Sequence, residues 1–309
     1  MTPLRLAVLI PCFNEAVAVP GVVAAFRAAL PAATVYVYDN ASTDGTAAAA
    51  RAAGAVVRAE PRRGKGNVLR RMFADIDADA YILVDGDGTY DAAAAPAMLA
   101  LLLEQRLDMV TALRATAPGG AFRPGHRLGN RMLTGMVGFA FGTEVQDMLS
   151  GYRCFSRRFV KSFPALSHGF ETETELTVHA MELRLPVAGL PTQYGERPRG
   201  SASKLNTWRD GARILGTIIT LLARERPLAF FGGFGALFAL AFLALVLPVL
   251  ETFWATGLVP RLPTFVAAMV MLMLAALSLA CGLILDTVTR GRREAKRIAY
   301  LAIPPPPEA

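Results

Sequence analysis

Two aspartates separated by one glycine are the residues of this 309-residue chain whose types and spacing best suit chemistry. Asp85 and Asp87 follow the apolar run Tyr81–Val84, and Gly86 between them lets the backbone approach a ligand closely. Carboxylate oxygens are the ligands that Mg²⁺ and Mn²⁺ prefer, and a cation held by few carboxylates completes its shell with phosphate oxygens. The segment therefore predicts a metal site for a diphosphate ligand. An aspartate at a strand end can instead serve only as a helix cap, and that alternative stays open at this point.

Polar residues also follow two other apolar runs near the N-terminus. Leu6–Ile10 leads into PCFNE (Pro11–Glu15), and Val35–Tyr38 leads into DNASTDGT, which ends at Thr46. Both runs have the length and composition of buried strands, and the segments between them suit helices. This alternation predicts an α/β fold with a mostly parallel sheet, whose ligands bind beyond the carboxyl ends of the strands.

The motifs of several common enzyme classes are absent. The turn Arg63–Gly66 fails the P-loop pattern, and no GxGxxG follows the first strand. The sequence contains no HExxH, GxSxG or CxxC, and its three cysteines lie far apart. Ordinary ATPases, nicotinamide enzymes, zinc hydrolases, serine hydrolases and disulfide scaffolds are therefore disfavoured.

The composition changes sharply after Arg226. Leu228–Leu250 and Pro263–Leu285 contain no charged residue, and each is long enough as a helix to cross a bilayer. Buried core helices are the alternative, but core helices rarely run so far without charge. The connector between the two runs, Glu251–Leu262, has Arg261 as its one basic residue. More basic residues flank the pair of runs, namely Arg224, Arg226, Arg290, Arg292, Arg293, Lys296 and Arg297. The positive-inside rule therefore predicts that both ends of the chain are cytoplasmic.

Five motifs in this order resemble glycosyltransferase family 2. They are PCFNE, DNASTDGT, the GKGN turn at Gly64–Asn67, the DGD segment, and DMLSGYR at Asp147–Arg153. The likeness extends over about residues 5–226 and is greatest to the branch that moves a sugar from a nucleotide to polyprenyl phosphate, namely dolichol-phosphate mannose synthases and bacterial undecaprenyl-phosphate glucosyltransferases. It implies an A-type glycosyltransferase domain, Rossmann-like with a mostly parallel sheet, then an amphipathic helix and a two-helix transmembrane hairpin.

The resemblance also implies which residues bind the donor. Mg²⁺ or Mn²⁺ is expected on Asp85 and Asp87. Thr89 stands where relatives often have a glutamine as a further metal ligand, and Asn40 replaces a usual second aspartate. The expected nucleotide-sugar pocket comprises Pro11, Phe13, Glu15, Asp39, Lys65, Asp85, Gly86 and Asp87.

Arginines are expected to supply the remaining chemistry, because the guanidinium fork fits phosphate oxygens. Each could instead belong to a solvated basic surface. Arg197 and Lys204 lie in ERPRGSASKL, one residue longer than the family segment, so their register stays open. Asp147 is expected to have a structural or sugar-orienting role, although it could also be a base. With Asp87, the expected catalytic residues are Arg114, Arg127, Arg197 and Lys204.

The implied activity is inverting, metal-dependent transfer of a sugar to polyprenyl (undecaprenyl) phosphate at the cytoplasmic face of the inner membrane. Such an acceptor is already anionic, so the reaction needs no strong general base. UDP-glucose is the first donor to consider, from the bacterial likeness, but no motif identifies the sugar or nucleotide. The alternatives are a glycolipid or polysaccharide acceptor, and a non-catalytic scaffold that binds sugar nucleotides. A nucleic-acid partner is disfavoured, since the basic residues cluster beside the apolar runs, and a homo-oligomer is left open.

The chain is accordingly divided into four segments. Residues 1–206 are the expected cytoplasmic glycosyltransferase domain, and residues 207–226 are an amphipathic helix at the membrane interface, or one packed on its own domain. Residues 227–289 hold the two membrane helices, and residues 290–309 form a basic cytoplasmic tail.

Overall fold

The computed structural model describes residues 4–115, 147–166, 172–195, 216, 219–220 and 222–305. The chain forms two compact units. One unit comprises Met1–Ile214 together with Ala295–Ala309, and the other comprises Leu215–Glu294.

The first unit contains a seven-stranded sheet with strand order β3-β2-β1-β4-β6-β5-β7. Only β6 among these strands runs antiparallel to its neighbours, so the predicted mostly parallel sheet is confirmed. The carboxyl ends of the six parallel strands and the start of β6 therefore share one edge. The strands are β1 (Leu6–Cys12), β2 (Ala33–Asp39), β3 (Val56–Ala59), β4 (Ala80–Leu83), β5 (Met109–Ala115), β6 (Arg153–Ser156) and β7 (Val187–Gln193).

Helices connect most of the strands and cover both faces of the sheet. Alternate residues of β1 enter separate cores: Val8 and Ile10 pack on one face, and Leu9 packs on the other. All four residues of β4 are buried, as expected for a strand between two helical layers. The helices of this unit are α1 (Val19–Ala29), α2 (Thr46–Ala52), α3 (Lys65–Asp75), α4 (Ala95–Glu104), α5 (Arg157–Ser162) and α6 (Thr172–Glu182).

Two long apolar helices follow, α7 (Pro227–Thr256) and α8 (Leu262–Leu301). Both are long and apolar enough to cross a membrane. Glycines allow their close approach: a Cβ added at Gly235 would lie 3.3 Å from the Ala275 carbonyl oxygen, and one at Gly282 would lie 3.3 Å from Phe231 Cβ.

The last turns of α8 continue past the predicted span and group with the first unit. The Tyr300 hydroxyl donates to Asp108 Oδ2 at 2.8 Å, and Asp108 is completely buried. Arg158 Nε and the Ser156 hydroxyl donate to the other oxygen, at 2.9 Å and 2.6 Å. Lys296 pairs with Glu182. The C-terminal end of α8 is thus part of the packing of the sheet domain.

Replacing Tyr300 by phenylalanine should destabilise this unit. A buried carboxylate would lose one of its donors, which costs about 1–2 kcal/mol, or roughly 2–8 °C in the unfolding midpoint. Tyr152→Phe is a matched control, because the Tyr152 hydroxyl is buried with no hydrogen-bond partner among the residues that the structure describes, so its loss should cost little. Thermal unfolding of the full chain in detergent compares the two. Equal midpoints for the two variants would contradict a stabilising role for Tyr300.

Candidate active site

The loops after β1 and β2 are joined into one structure at the carboxyl edge of the sheet. The Asn14 amide donates to Ser42 Oγ at 2.9 Å, and the Asn14 side chain accepts from the Thr43 amide at 2.8 Å. The Glu15 amide donates to Thr46 Oγ1 at 2.9 Å. The predicted motifs PCFNE and DNASTDGT therefore meet in space, as expected from two parallel neighbouring strands.

Asn40 fixes the turn that precedes Lys65. Its Nδ2 donates to the carbonyl oxygens of Glu60 and Arg62, at 2.9 Å and 2.7 Å, and its Oδ1 accepts from the Gly64 amide at 2.7 Å. An aspartate cannot donate to carbonyl oxygens, so only an amide satisfies all three partners. The asparagine at position 40, where relatives usually have an aspartate, thus has a structural reason.

Lys65, the first residue of α3, joins two carboxylates across the sheet edge. Its Nζ lies 2.5 Å from Asp85 Oδ1 and 2.5 Å from Glu173 Oε1. Burial opposes the charge on Lys65, but Asp85 and Glu173 outweigh it and raise the lysine pKa. Burial also raises the pKa of Asp85, against the lowering by Lys65, and the carboxylates of Glu173 and Asp87 add to the rise.

Glu173 is the principal site residue that the sequence did not predict. It lies in the first turn of α6 and is only 6% exposed. It shares a face with Leu176, Thr177 and Ala180, which are all buried. A carboxylate on the buried face of a helix is the sequence signal that could have revealed it.

Glycines make room for the carboxylates after β4. A Cβ at Gly151 would lie 2.1 Å from Asp85 Oδ2, and one at Gly86 would lie 2.5 Å from Cys12 Sγ. Gly151 therefore leaves space for the Asp85 carboxylate, and Gly86 lets the DGD segment lie against β1.

Asp87 is buried, and its Oδ1 accepts from the Thr89 hydroxyl at 2.7 Å and from the Thr89 amide at 3.2 Å. Thr89 thus orients the carboxylate from within the loop. This contact gives Thr89 a role through Asp87, whatever its value as a direct ligand.

Arg114 lies within β5 and binds Asp147 through a two-pronged contact. Its Nε donates to Asp147 Oδ2 at 2.8 Å, and an Nη donates to Oδ1 at 2.5 Å. The guanidinium also lies over the Tyr194 ring, 5.5 Å from its centroid. Arg114 is held in one orientation by these contacts, at the same sheet edge as Asp85.

Arg153 holds the loop between Asp147 and β6 from inside the protein. Its guanidinium donates to the carbonyls of Met148 and Ser150, at 2.7 Å and 3.0 Å, and to the Thr177 hydroxyl at 2.9 Å. Burial lowers its pKa to about 10, although carboxylates nearby oppose that shift. Loop 147–152, which carries Asp147 and Gly151, is thereby fixed to the sheet and to α6.

The other residues predicted to bind the nucleotide sugar lie at the ends of β1 and β2. Pro11 is part of β1, and the Phe13 ring lies under the Arg63 guanidinium, with its centroid 5.1 Å from that group. Asp39 Oδ2 accepts from the Ser42 amide at 3.3 Å, whereas Oδ1 is buried and has no hydrogen-bond partner among the described residues. Such an oxygen can accept a hydrogen bond from a bound ligand.

Three predicted residues, Arg127, Arg197 and Lys204, lie outside the described residues. Their roles stay predictions.

The donor set fits a hard divalent cation. Asp85 and Asp87 offer carboxylate oxygens at one strand end. Among the described residues no group of three or more His, Cys, Asp or Glu side chains surrounds a common point. A cation here would therefore depend on a ligand such as a diphosphate for the rest of its shell.

Comparison with known proteins identifies related chains. The family model described as "Glycosyl transferase family 2" matches residues 7–163. The glycosyltransferase AglJ of Haloferax volcanii is 35% identical over 235 residues, which cover 76% of this chain and 77% of AglJ. A dolichyl-phosphate hexose transferase of the same organism is 25% identical over 221 residues, covering 72% of this chain and 95% of that protein.

A solved structure shares the fold. Glucosyl-3-phosphoglycerate synthase from Mycobacterium tuberculosis, in complex with Mn²⁺, UDP-glucose and phosphoglyceric acid, aligns with a TM-score of 0.57. It is 24% identical, and the match covers 71% of this chain and 79% of that chain. The likeness concerns the fold alone and confirms the predicted A-type architecture.

Replacing Gly151 by alanine should disturb the site without unfolding the protein. The new Cβ would collide with Asp85 Oδ2 at 2.1 Å, so the carboxylate must rotate away. We expect Mn²⁺ binding to weaken by on the order of tenfold, about 1.4 kcal/mol, while the unfolding midpoint changes little. Gly21→Ala is the control, because among the described residues no heavy atom outside the helix's own nearby backbone lies within 4 Å of a Cβ added there. Mn²⁺ affinity equal to that of the Gly21 variant would show that Asp85 does not depend on this space.

Proposed function

The chain belongs to glycosyltransferase family 2, as its motifs predicted, and we propose that it transfers a sugar from a nucleotide sugar to polyprenyl phosphate at the cytoplasmic face of the inner membrane. The observation that carries the proposal is the placement of Asp85, Asp87 and Lys65 together at the carboxyl edge of the sheet. This is where a parallel α/β sheet binds its ligands.

The proposed donor site uses groups of both charges. Asp39 Oδ1, which is buried and unpartnered in the described ranges, would accept a hydrogen bond from the nucleoside, and Phe13 would line the pocket. Asp85 and Asp87 would hold Mg²⁺ or Mn²⁺, which when bound offsets charge on the leaving diphosphate. Lys65 contacts Asp85 and would add its ammonium to the same phosphates.

The proposed acceptor is a phosphate monoester, which is already a nucleophile at neutral pH. The protein must then hold two anions together, and Arg114 with Arg127, Arg197 and Lys204 would offset the charge of the acceptor. The contact of Asp147 with Arg114 supports an orienting role for Asp147 over that of a base. Direct displacement at the anomeric carbon would invert its configuration.

Two observations support a lipid acceptor. Helices α7 and α8 are long and apolar enough to cross a bilayer, so the chain can reside where such a lipid lies. The similar dolichyl-phosphate hexose transferase is named for an acceptor of the same chemical class. UDP-glucose, which the aligned synthase binds, is the first donor to test.

The decisive experiment incubates the full chain in detergent with Mg²⁺ or Mn²⁺, undecaprenyl phosphate and a panel of nucleotide sugars. Mass analysis of the lipid should show one hexose added for one donor of the panel. Donor hydrolysis without a glycosylated lipid would contradict the acceptor, and no donor consumption in any reaction would contradict the enzymatic activity. Transfer to an added glycolipid or polysaccharide, but not to undecaprenyl phosphate, would favour the alternative acceptor.

Replacing Asp87 by alanine should abolish transfer while the protein still folds. A carboxylate that contacts the cation or diphosphate has no substitute in alanine, and we expect a loss of at least about a hundredfold, roughly 3 kcal/mol. Asp91→Ala is a control from the same loop, since Asp91 accepts from the Ala93 amide at 2.9 Å and so caps a short helical turn. Transfer by the Asp87 variant at the rate of the Asp91 variant would remove Asp87 from the site.

Replacing Arg127 by alanine should reduce transfer to lipid more than it reduces donor binding. Loss of one charge-assisted phosphate contact costs on the order of 1.5–3 kcal/mol, or about ten- to hundredfold in rate or acceptor affinity. Arg127→Lys should restore only part of the lost transfer, because lysine keeps the positive charge but lacks the guanidinium fork. Titration of undecaprenyl phosphate at saturating donor measures the effect, with Arg71→Ala as a surface control. An unchanged acceptor dependence and maximal rate would remove Arg127 from the site.

A further inference from the structure

One ammonium group serves two carboxylates at the end of β4, and a third carboxylate lies two residues further on. Lys65 Nζ is 2.5 Å from both Asp85 Oδ1 and Glu173 Oε1. Asp87 follows Asp85 in the same loop and is buried. Lys65 therefore occupies the surroundings in which the proposed function places a divalent cation.

The two carboxylate oxygens of Glu173 differ in their surroundings. Its Oε1 accepts from Lys65, whereas its Oε2 is buried and has no hydrogen-bond partner within the part of the chain that the structure describes. A buried carboxylate oxygen without a donor is unfavourable, and such oxygens are rare in folded proteins. The second oxygen gives Glu173 the capacity to take a larger share of the ammonium.

We infer that Glu173 is a positioning residue that takes over the Lys65 ammonium when a divalent cation binds Asp85. This inference rests on the proposed function for its cation and donor. In the ligand-free protein Lys65 acts as the counter-ion of Asp85, and in the loaded protein Glu173 keeps Lys65 beside the site with its charge paired.

Electrostatics requires such a partner. A cation and an ammonium that share Asp85 Oδ1 would repel each other at short range, so the ammonium must withdraw. A buried ammonium without a carboxylate is costly, because desolvation is no longer compensated. Glu173 is already in contact with Lys65, so the ammonium can withdraw from Asp85 without leaving its remaining carboxylate.

The test uses Mn²⁺ alone as the probe, titrated into the full chain in detergent, with the free ion measured by electron paramagnetic resonance. Glu173→Gln removes the charge, and Glu173→Asp keeps the charge but shortens the reach by one methylene. We expect both to bind Mn²⁺ about tenfold more weakly than the unaltered protein, because Lys65 then stays on Asp85. Lys65→Gln should bind Mn²⁺ more tightly, since no ammonium competes for Asp85.

Glu175→Gln is the matched control on the same helix. Glu175 Oε1 accepts from the Leu166 amide at 2.8 Å, and a glutamine keeps that acceptor. Its Mn²⁺ affinity should equal that of the unaltered protein.

Three results would overturn the inference. Unaltered affinity in Glu173→Asp would show that only the charge of residue 173 matters, and not its contact with Lys65. No tightening in Lys65→Gln would show that the ammonium does not compete with a cation. No Mn²⁺ binding by the unaltered protein would show that Asp85 takes no cation, so Lys65 has nothing to make way for. If both Glu173 variants fail to fold, as judged by thermal unfolding, an absence of tightening in Lys65→Gln still overturns the inference.

Failure of the proposed function gives a different result. In that case no sugar reaches undecaprenyl phosphate, while the order of the Mn²⁺ affinities remains as stated. Failure of the inference leaves lipid transfer intact and removes the difference between the Glu173 variants and their control.

Discussion

The site depends on the neutralisation of carboxylates that the sheet places at one edge. Parallel strands bring their polar ends together, which places Asp85 at this edge, and the first turn of α6 adds Glu173 on the other side of Lys65. Lys65 contacts both carboxylates and offsets their mutual repulsion. The position of Lys65 depends in turn on Asn40, which holds the preceding turn by three hydrogen bonds. Gly151 leaves the space that the Asp85 carboxylate needs.

The second part of the site follows the same logic with an arginine. Arg114 and Asp147 neutralise each other at the end of β5, and Arg153 fixes the loop that supplies Asp147. Among the described residues, Lys65 and Arg114 could meet a phosphate, and each is already oriented by an opposite charge or a ring. Preorganisation of this kind lowers the cost of binding two anions side by side.

The sequence was informative where the signal is local. The apolar runs and the motifs after them predicted β1, β2 and β4, the mostly parallel sheet, and the common edge that holds Asp85 and Lys65. It was uninformative where the partners lie far apart in the chain. Lys65 and Glu173 are 108 positions apart, and Asp108 and Tyr300 are 192 apart. Charge patterns alone cannot select such pairs, because many acids and bases are available to each group.

The sheet domain is discontinuous in the chain, and this affects the order in which it can be completed during synthesis. Asp108 is made early in synthesis and is buried in the folded domain. One of its three donor side chains, Tyr300, lies in the last turn of α8 and is made much later. The ribosome must therefore make α7 and nearly all of α8 before the domain can acquire its last contacts. Final consolidation of the sheet domain is thereby deferred until the apolar helices have emerged, so its maturation is coupled to theirs.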